Sequence, residues 1–344
     1  MLTLTLSLLL TFVASWFLVG RFRAYALTKG LLDNPNARSS HTLATPRGGG
    51  LVFMLLWPVA GISAILLGVW SLQQALVFLP GAALIGLIGY WDDHHDLPAR
   101  WRALVHFLAA AGGVAVLGGT DTLDLGMTEL HLGWVASVLA VLTIVWSVNL
   151  FNFMDGTDGI AGVEAFFVFS VGGLLLWQAG GAALAAPIWA LAAAVAGFLV
   201  WNWPRAKIFM GDVGSGFLGF LIAVFALAGE AWFGVPALLW VILYGVFWFD
   251  ATITLLRRIA AGERWYAAHR SHAYQRLHHG GGWSHGRILW GVIALNTVLA
   301  SLALWANAHR EMLPWAVLTT FAVLAAAYAM VERIAPMYPA RRSA

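Results

Sequence analysis

Apolar runs of about 20 residues alternate with short polar stretches along the whole chain. As helices, runs of that length match a hydrocarbon core roughly 30 Å thick. The pattern predicts eleven spans, near 2–20, 48–70, 75–90, 103–119, 134–151, 160–178, 183–203, 216–229, 234–256, 288–306 and 314–331. Spans 75–90 and 216–229 are short, which suits helices that end at a cytosolic mouth. No soluble domain, low-complexity tract or internal repeat interrupts the pattern. The expected fold class is all-α: a polytopic membrane protein with about eleven transmembrane helices in one integral-membrane domain, 1–344. The first apolar run lacks a basic flank and a small-residue cleavage site, so it reads as a retained helix.

Composition agrees. Hydrophobic residues make up 61% of the chain and charged residues 10%, against about a quarter charged in soluble domains. Without cysteine, neither a disulfide framework nor a thiolate metal site can form. The basic residues set the orientation. With a periplasmic N-terminus and a cytosolic C-terminus, the cytosolic segments hold every one of the 19 Lys and Arg residues except Arg310. The net charge of +3 therefore follows from membrane topology, and nucleic acid is not an expected partner. The 19 Trp read as interfacial anchors and lipid-facing packing.

The polar clusters fall on the cytosolic side, in loops at about 21–47, 91–102, 152–159, 204–215 and 257–287. In "WDDHHDLP" (91–98), a continuing helix puts Asp92 or Asp93 on one face with Asp96. In "NFMDGTDG" (152–159), Asn152, Asp155 and Asp158 recur every third residue. In "FMGDVGSG", glycines bracket Asp212 at a helix mouth. Carboxylates packed together imply a cation, a basic partner or a raised pKa. Oxygen ligands from several loops, no thiols and basic surroundings describe a Mg²⁺ site, with Mn²⁺ as the alternative, that shares its metal with phosphates. Each acidic cluster alone could be a solvated helix end. Three on one face, each beside glycine, point to a site.

"TPRGGG" (45–50) leads into a helix, so Arg47 and the backbone at Gly48 are candidates for holding a phosphate. "HRSHAYQ" (269–275) offers Arg270 and His272 to a diphosphate. His94, His95, His278, His279 and His285 read as solvated loop residues, and His106 as a helix–helix polar contact. Glu164 and Asp250 are ionisable groups in or near spans, and hence functional candidates. Glu164 is expected behind the "NFMDGTDG" turn, and Asp250 is placed to pair with Arg257 or Arg258 or to shape the cytosolic cavity.

"DDHHDLP", "NLFNFMDGTDGIAG", "FMGDVGSGFLG" and "HRSHAYQ", in that order, resemble the signatures of the polyprenyl-phosphate N-acetylhexosamine-1-phosphate transferases. The resemblance covers about residues 30 to 290. It implies transfer of a sugar-1-phosphate from a UDP-N-acetyl sugar to undecaprenyl phosphate at the cytosolic face of the bacterial inner membrane, with Mg²⁺ and release of UMP. It implies Asp212 and Asn152 at the metal, Asp155 as essential, Asp158 at the uracil, and Asp92 and Asp93 as the catalytic pair, one acting on the lipid phosphate. Asp96 fixes the turn beside that pair. The helix count, "RSSHTLATPRGGG" and "HRSHAYQRL" look like the initiators of O-antigen synthesis. The absence of consecutive histidines in "HRSHAYQ" argues against a muramoyl-pentapeptide substrate. A phosphomonoester with a second pKa of about 6 is largely dianionic at neutral pH, so a single displacement needs positioning more than strong base. A two-step route through a covalent aspartate stays open. Membrane lipids surround the chain, and a homodimer is compatible with it, although no residue pattern fixes the oligomeric state. The rival readings are an ion-coupled secondary transporter, whose acids would lie nearer the midplane, and a CDP-alcohol phosphotransferase, whose downstream pattern "DGTDGIAG" lacks.

Overall fold

The computed structural model describes residues 2–35, 43–95, 97–264, 266–267 and 269–338. Each apolar run becomes a helix. These are α1 (Leu2–Lys29), α2 (Leu51–Leu66), α3 (Leu72–His95), α4 (Ala99–Leu117), α5 (Trp134–Met154), α6 (Ile160–Gln178), α7 (Ala182–Asn202), α8 (Asp212–Phe233), α9 (Ala237–Leu243), α10 (Gly245–Ala260), α12 (His285–Ala308) and α13 (Leu313–Ile334). The short α11 (Ala273–His279) is amphipathic and packs against α12 and α13. Among the described residues, nine helices are long and apolar enough to cross a membrane, and α9 with α10 makes a tenth as one bent span. The 16-residue α2 supplies the eleventh apolar segment, so every predicted span has a helical counterpart.

The boundaries correct three expectations. α3 and α8 are 24 and 22 residues long, so neither is short. Hydropathy stops at the first charge, but the helices continue because their charged ends find partners in neighbouring elements. The span expected at 234–256 is broken, with its halves meeting at 80°. At the break, the Trp248 indole N–H donates to the Val241 carbonyl at 2.7 Å, and the Phe247 N–H lies against the Glu164 carboxyl. Backbone groups freed inside a bilayer need such partners. The all-α pattern holds apart from two antiparallel ladders. β1 (Leu32–Asp33) pairs with β2 (Thr45–Pro46), and β3 (Thr122–Asp124) pairs with β4 (Glu129–His131).

α8 is the central helix, packed against α3 and α5 and touching α2, α4, α6 and α9. Its small residues let backbones approach, as expected where apolar burial gives no drive for helices to associate. Ser147 on α5 donates to the Gly219 carbonyl at 2.6 Å. Farther along, Phe225 stacks on Phe78 at 4.3 Å and meets Trp57 edge-on at 5.8 Å. α1 is the outermost helix. It is pinned to α7 where Ser15 donates to the Ala194 carbonyl and the Trp201 indole donates to the Trp16 carbonyl.

Candidate active site

The overshoot of α3 sets up one wall of the site. The first N–H groups of any helix lack intrahelical partners, and the α8 cap residue, Gly211, has no side chain to supply one. Asp93, at the end of α3, fills the role from outside. Its two carboxylate oxygens accept the Asp212 N–H at 3.1 Å and the Val213 N–H at 3.2 Å. Gly211 has a φ of +79°, and a Cβ there would lie 2.6 Å from Asp93 Oδ2. One turn back on α3, a Cβ at Gly89 would collide with the Asp212 carbonyl. The neighbouring Asp92 accepts the Leu97 N–H at 2.7 Å, ion-pairs with Arg102 and lies against the Asp212 carboxyl. Arg102 also reaches to within 3.6 Å of Asp212 Oδ2.

Arg47 arrives by way of the β1–β2 ladder. Beyond Pro46, the chain pairs with the segment before α8. The Phe209 N–H donates to the Pro46 carbonyl, and the Gly49 and Gly50 N–H groups donate to the Phe209 and Met210 carbonyls, at 2.8 to 2.9 Å. Gly48, at a φ of +91°, sits beside Gly211.

The third contribution is the break between α5 and α6. Asn152, in the last turn of α5, donates to Ser215 Oγ at 3.1 Å. Asp155 follows the helix end. Asp158 accepts the Ala206 N–H at 3.1 Å and lies 3.0 Å from His285 Nδ1. Asn202 fixes the turn by accepting the Gly159 N–H and donating to the Ile208 carbonyl.

These elements enclose a cavity of about 230 Å³. Of the residues selected from the sequence, Arg47, Asp93, Asn152, Asp155, Asp158 and Asp212 line it. Burial pushes the Asp155 carboxyl well above the usual carboxylate range, and the charges of Asp212, Asp93 and Asp158 push the same way.

The other selected residues lie elsewhere. Asp92 is outside the cavity lining but stands directly behind it, between Arg102 and the Asp212 carboxyl. His272 is buried at the start of α11, stacked on Tyr274 and 3.7 Å from Asp250, while Arg270 is exposed on the loop before it. Asp250 accepts from Thr254 and from the Ala273 N–H. It therefore docks α11 and does not pair with Arg257 or Arg258, which bond Glu332 and Glu263. Glu164 is fully buried and accepts from Asn296 at 2.7 Å, away from the cavity wall. Asp96 lies outside the described residues.

The polar wall residues Asp33, Thr157, Asn202 and Gln275 were not singled out in the sequence, and His285 was set aside there. His285 is no solvated loop residue, because its ring faces Asp158 from the first turn of α12. The signal was there, since Ser284 accepts the Arg287 N–H as a helix cap. Gln275 was equally traceable. The His272 N–H donates to its side-chain oxygen in a capping box, a spacing visible in "HAYQ". His106 does make its helix–helix contact, 3.4 Å from Asn149 Nδ2.

Comparison with known proteins places the chain in a family. The family model "Glycosyl transferase family 4" matches residues 75–230, which include Asp93, Asn152, Asp155, Asp158 and Asp212. A Bacillus subtilis (strain 168) protein named "Probable undecaprenyl-phosphate N-acetylglucosaminyl 1-phosphate transferase" is 32% identical over 261 residues, covering 73% of this chain and 71% of the relative. The undecaprenyl-phosphate alpha-N-acetylglucosaminyl 1-phosphate transferase of Yersinia pestis is 29% identical over 291 residues, covering 81% and 77%. The decaprenyl-phosphate N-acetylglucosaminephosphotransferase of Mycobacterium tuberculosis is 32% identical over 304 residues, covering 77% and 73%. With its helix ends gathered on one acidic cavity, the chain belongs to glycosyl transferase family 4, within the polyprenyl-phosphate N-acetylhexosamine-1-phosphate transferases.

Proposed function

We propose that the protein transfers an N-acetylhexosamine-1-phosphate from a UDP-sugar to undecaprenyl phosphate, giving undecaprenyl-diphospho-sugar and UMP. One observation carries the reading: Asp93, Asn152, Asp155, Asp158 and Asp212, from three separate chain segments, share one cavity with Arg47. The names of the relatives make UDP-N-acetylglucosamine the first donor to test.

A divalent cation fits this donor set. Among the described residues, no three His, Asp or Glu side chains close a complete metal cage. Mg²⁺ does not need one, since it usually takes one or two carboxylates and fills its remaining positions with phosphate oxygens and water. Asp212 and Asn152 would hold it, and Asp155 would gain the counter-charge that its neighbours deny it. When bound, Mg²⁺ would neutralise the diphosphate and stabilise the UMP leaving group.

The chain's own residues do the rest. Asp93 fixes the start of α8 and so aims Asp212. Arg47 and Arg102 share the phosphate charge at the cavity mouth, and Asp158, braced by His285, faces the nucleotide. The lipid phosphate oxygen then bonds to the β-phosphorus as the bond to the UMP oxygen breaks. This arrangement calls for alignment and charge balance, which dominate phosphoryl transfer in general. The positive-inside asymmetry supports a cavity that opens to the cytosol. The "RSSHTLATPRGGG" and "HRSHAYQRL" segments support a place at the start of O-antigen or related surface-polysaccharide assembly.

The test supplies purified protein with undecaprenyl phosphate, Mg²⁺ and a panel of UDP-N-acetyl sugars, and measures UMP release. Lipid-dependent UMP with at least one sugar is the expected result. No lipid-dependent UMP with any of them would overturn the reading.

A further inference from the structure

At its far end, away from the cavity, α11 is held by a cluster of charges contributed by the last helix. Glu332, near the end of α13, takes a two-pronged bond from Arg257 of α10, at 2.6 and 2.9 Å. The same carboxylate accepts from Arg276 of α11 at 2.8 Å. Arg276 donates onward to the Ala335 carbonyl at 2.7 Å and to the Ser271 carbonyl at 3.1 Å. Tyr328 lies under both guanidiniums, its ring 5.7 Å from that of Arg257 and 5.1 Å from that of Arg276. One carboxylate thus holds together two cations that would otherwise repel.

The near end of α11 meets the cavity. Tyr274 donates to the Phe153 carbonyl at 3.1 Å, two residues before Asp155. The Gln275 side-chain oxygen is committed to the α11 cap, which leaves its NH₂ beside Gly156, 3.2 Å from where a Cβ would sit. Gln275 lines the cavity, and its donor direction is set by where α11 lies.

We propose that Glu332 is a positioning residue for the active site. By holding Arg276 it keeps α11 seated, so that Gln275 and Tyr274 stay against the Asp155 turn. The inference rests on the transferase reading, and the wild-type reaction run alongside separates the two.

Glu332→Ala should raise the KM for the UDP-sugar and lower kcat/KM at least about tenfold, as small misplacements do, while the yield of folded protein holds. Glu332→Gln, which keeps the shape and loses the charge, should fall between. A covalent substitute should rescue the loss. A Cβ at Gly280 would lie 3.1 Å from that of Ala335, within a few tenths of an ångström of disulfide range. The chain has no native cysteine to interfere. Gly280→Cys with Ala335→Cys, added to Glu332→Ala, should recover kcat/KM to within about twofold when oxidised and lose it again on reduction.

Wild-type KM and kcat in Glu332→Ala would overturn the proposal. So would a folded variant whose activity oxidation does not restore. Misfolding of both Glu332→Ala and Glu332→Gln would also overturn it, by making the role one of stability. A wild-type protein that releases no UMP would instead overturn the transferase reading, and the positioning role with it.

Discussion

The two ends of α8 carry the same chemistry and use it differently. The helix spans 22 residues, about 33 Å, with Asp212 at its start and Glu230 in its last turns. At the far end the accounts close. Glu230 accepts the Ala237 N–H at 2.6 Å and the Asp124 N–H at 3.2 Å. Arg310 faces Asp124 at 3.5 Å and donates to the Gly234 carbonyl at 2.9 Å. At the near end, five aspartates line one cavity, and Asp155 accepts no hydrogen bond from any described residue. A carboxylate with its donors in place is part of the fold. Asp155, crowded by other carboxylates without such donors, is suited to a ligand that brings positive charge.

The largest test of this contrast is Asp212→Asn. Loss of the central carboxylate should lower UMP release by about 10³-fold, the scale of a metal's share in stabilising a transition state, with folded protein retained. Turnover near wild type would dissolve the distinction between the ends.

Asp155→Asn sharpens it further, with a loss of about 10²-fold or more and an opposite effect on stability. Burial and like charges raise Asp155 above its ordinary 3.8. Its stabilising protonated form is therefore complete below that value and is lost as pH rises towards the folded-state pKa. In EDTA, wild type should lose thermal stability as pH is raised from 5 to 8, and Asp155→Asn should lose less. The variant should melt a few degrees higher at pH 8. Parallel melting curves for the two proteins would deny that Asp155 carries the strain.

At the other end, Glu230→Ala should leave turnover per folded molecule unchanged. It should cost about 1–3 kcal/mol of stability, because the Ala237 and Asp124 N–H groups lose their acceptor. A fall in kcat without a fall in melting temperature would show that the far end is more than scaffold. The smallest effect is expected at His94 and His95, both exposed beside Asp93. Either residue changed to Ala should leave activity within about twofold and stability within about 0.5 kcal/mol. A tenfold loss there would extend the site onto the α3 surface.

The fold was legible wherever hydropathy alone decides structure, and each of the eleven apolar runs found its helix. What escaped were features set by distant partners. The bend between α9 and α10 occurs at Tyr244, with no proline at the break, and Glu164 and the Trp248 indole meet the freed backbone groups. Within the site, Asp93 stood out in an acidic cluster, and Asp155, Asp158 and Asp212 because acids are rare in this chain and these sit beside glycines. Asp33 and Asn202 did not, because a lone polar residue at the end of an element carries no spacing signal. The β1–β2 pairing and the Asn202 contacts to Gly159 and Ile208 bring them to the cavity. His272 looked like a ligand because histidine suits phosphate, yet its ring is buried against Tyr274 and Asp250.

The external cap on α8 has a consequence for selectivity. A helix start with open N–H groups attracts any small anion, and at α8 the protein's own Asp93 already occupies that place. A phosphate entering the cavity cannot claim those N–H groups without evicting a carboxylate that belongs to the neighbouring helix. The α8 end therefore acts as a closed door to stray anions, and capture falls to the cations Arg47 and Arg102 at the rim. Occupancy by Asp93 also makes the direction of Asp212 a property of two helices at once. A small tilt of α3 would re-aim the central carboxylate without any change in α8 itself.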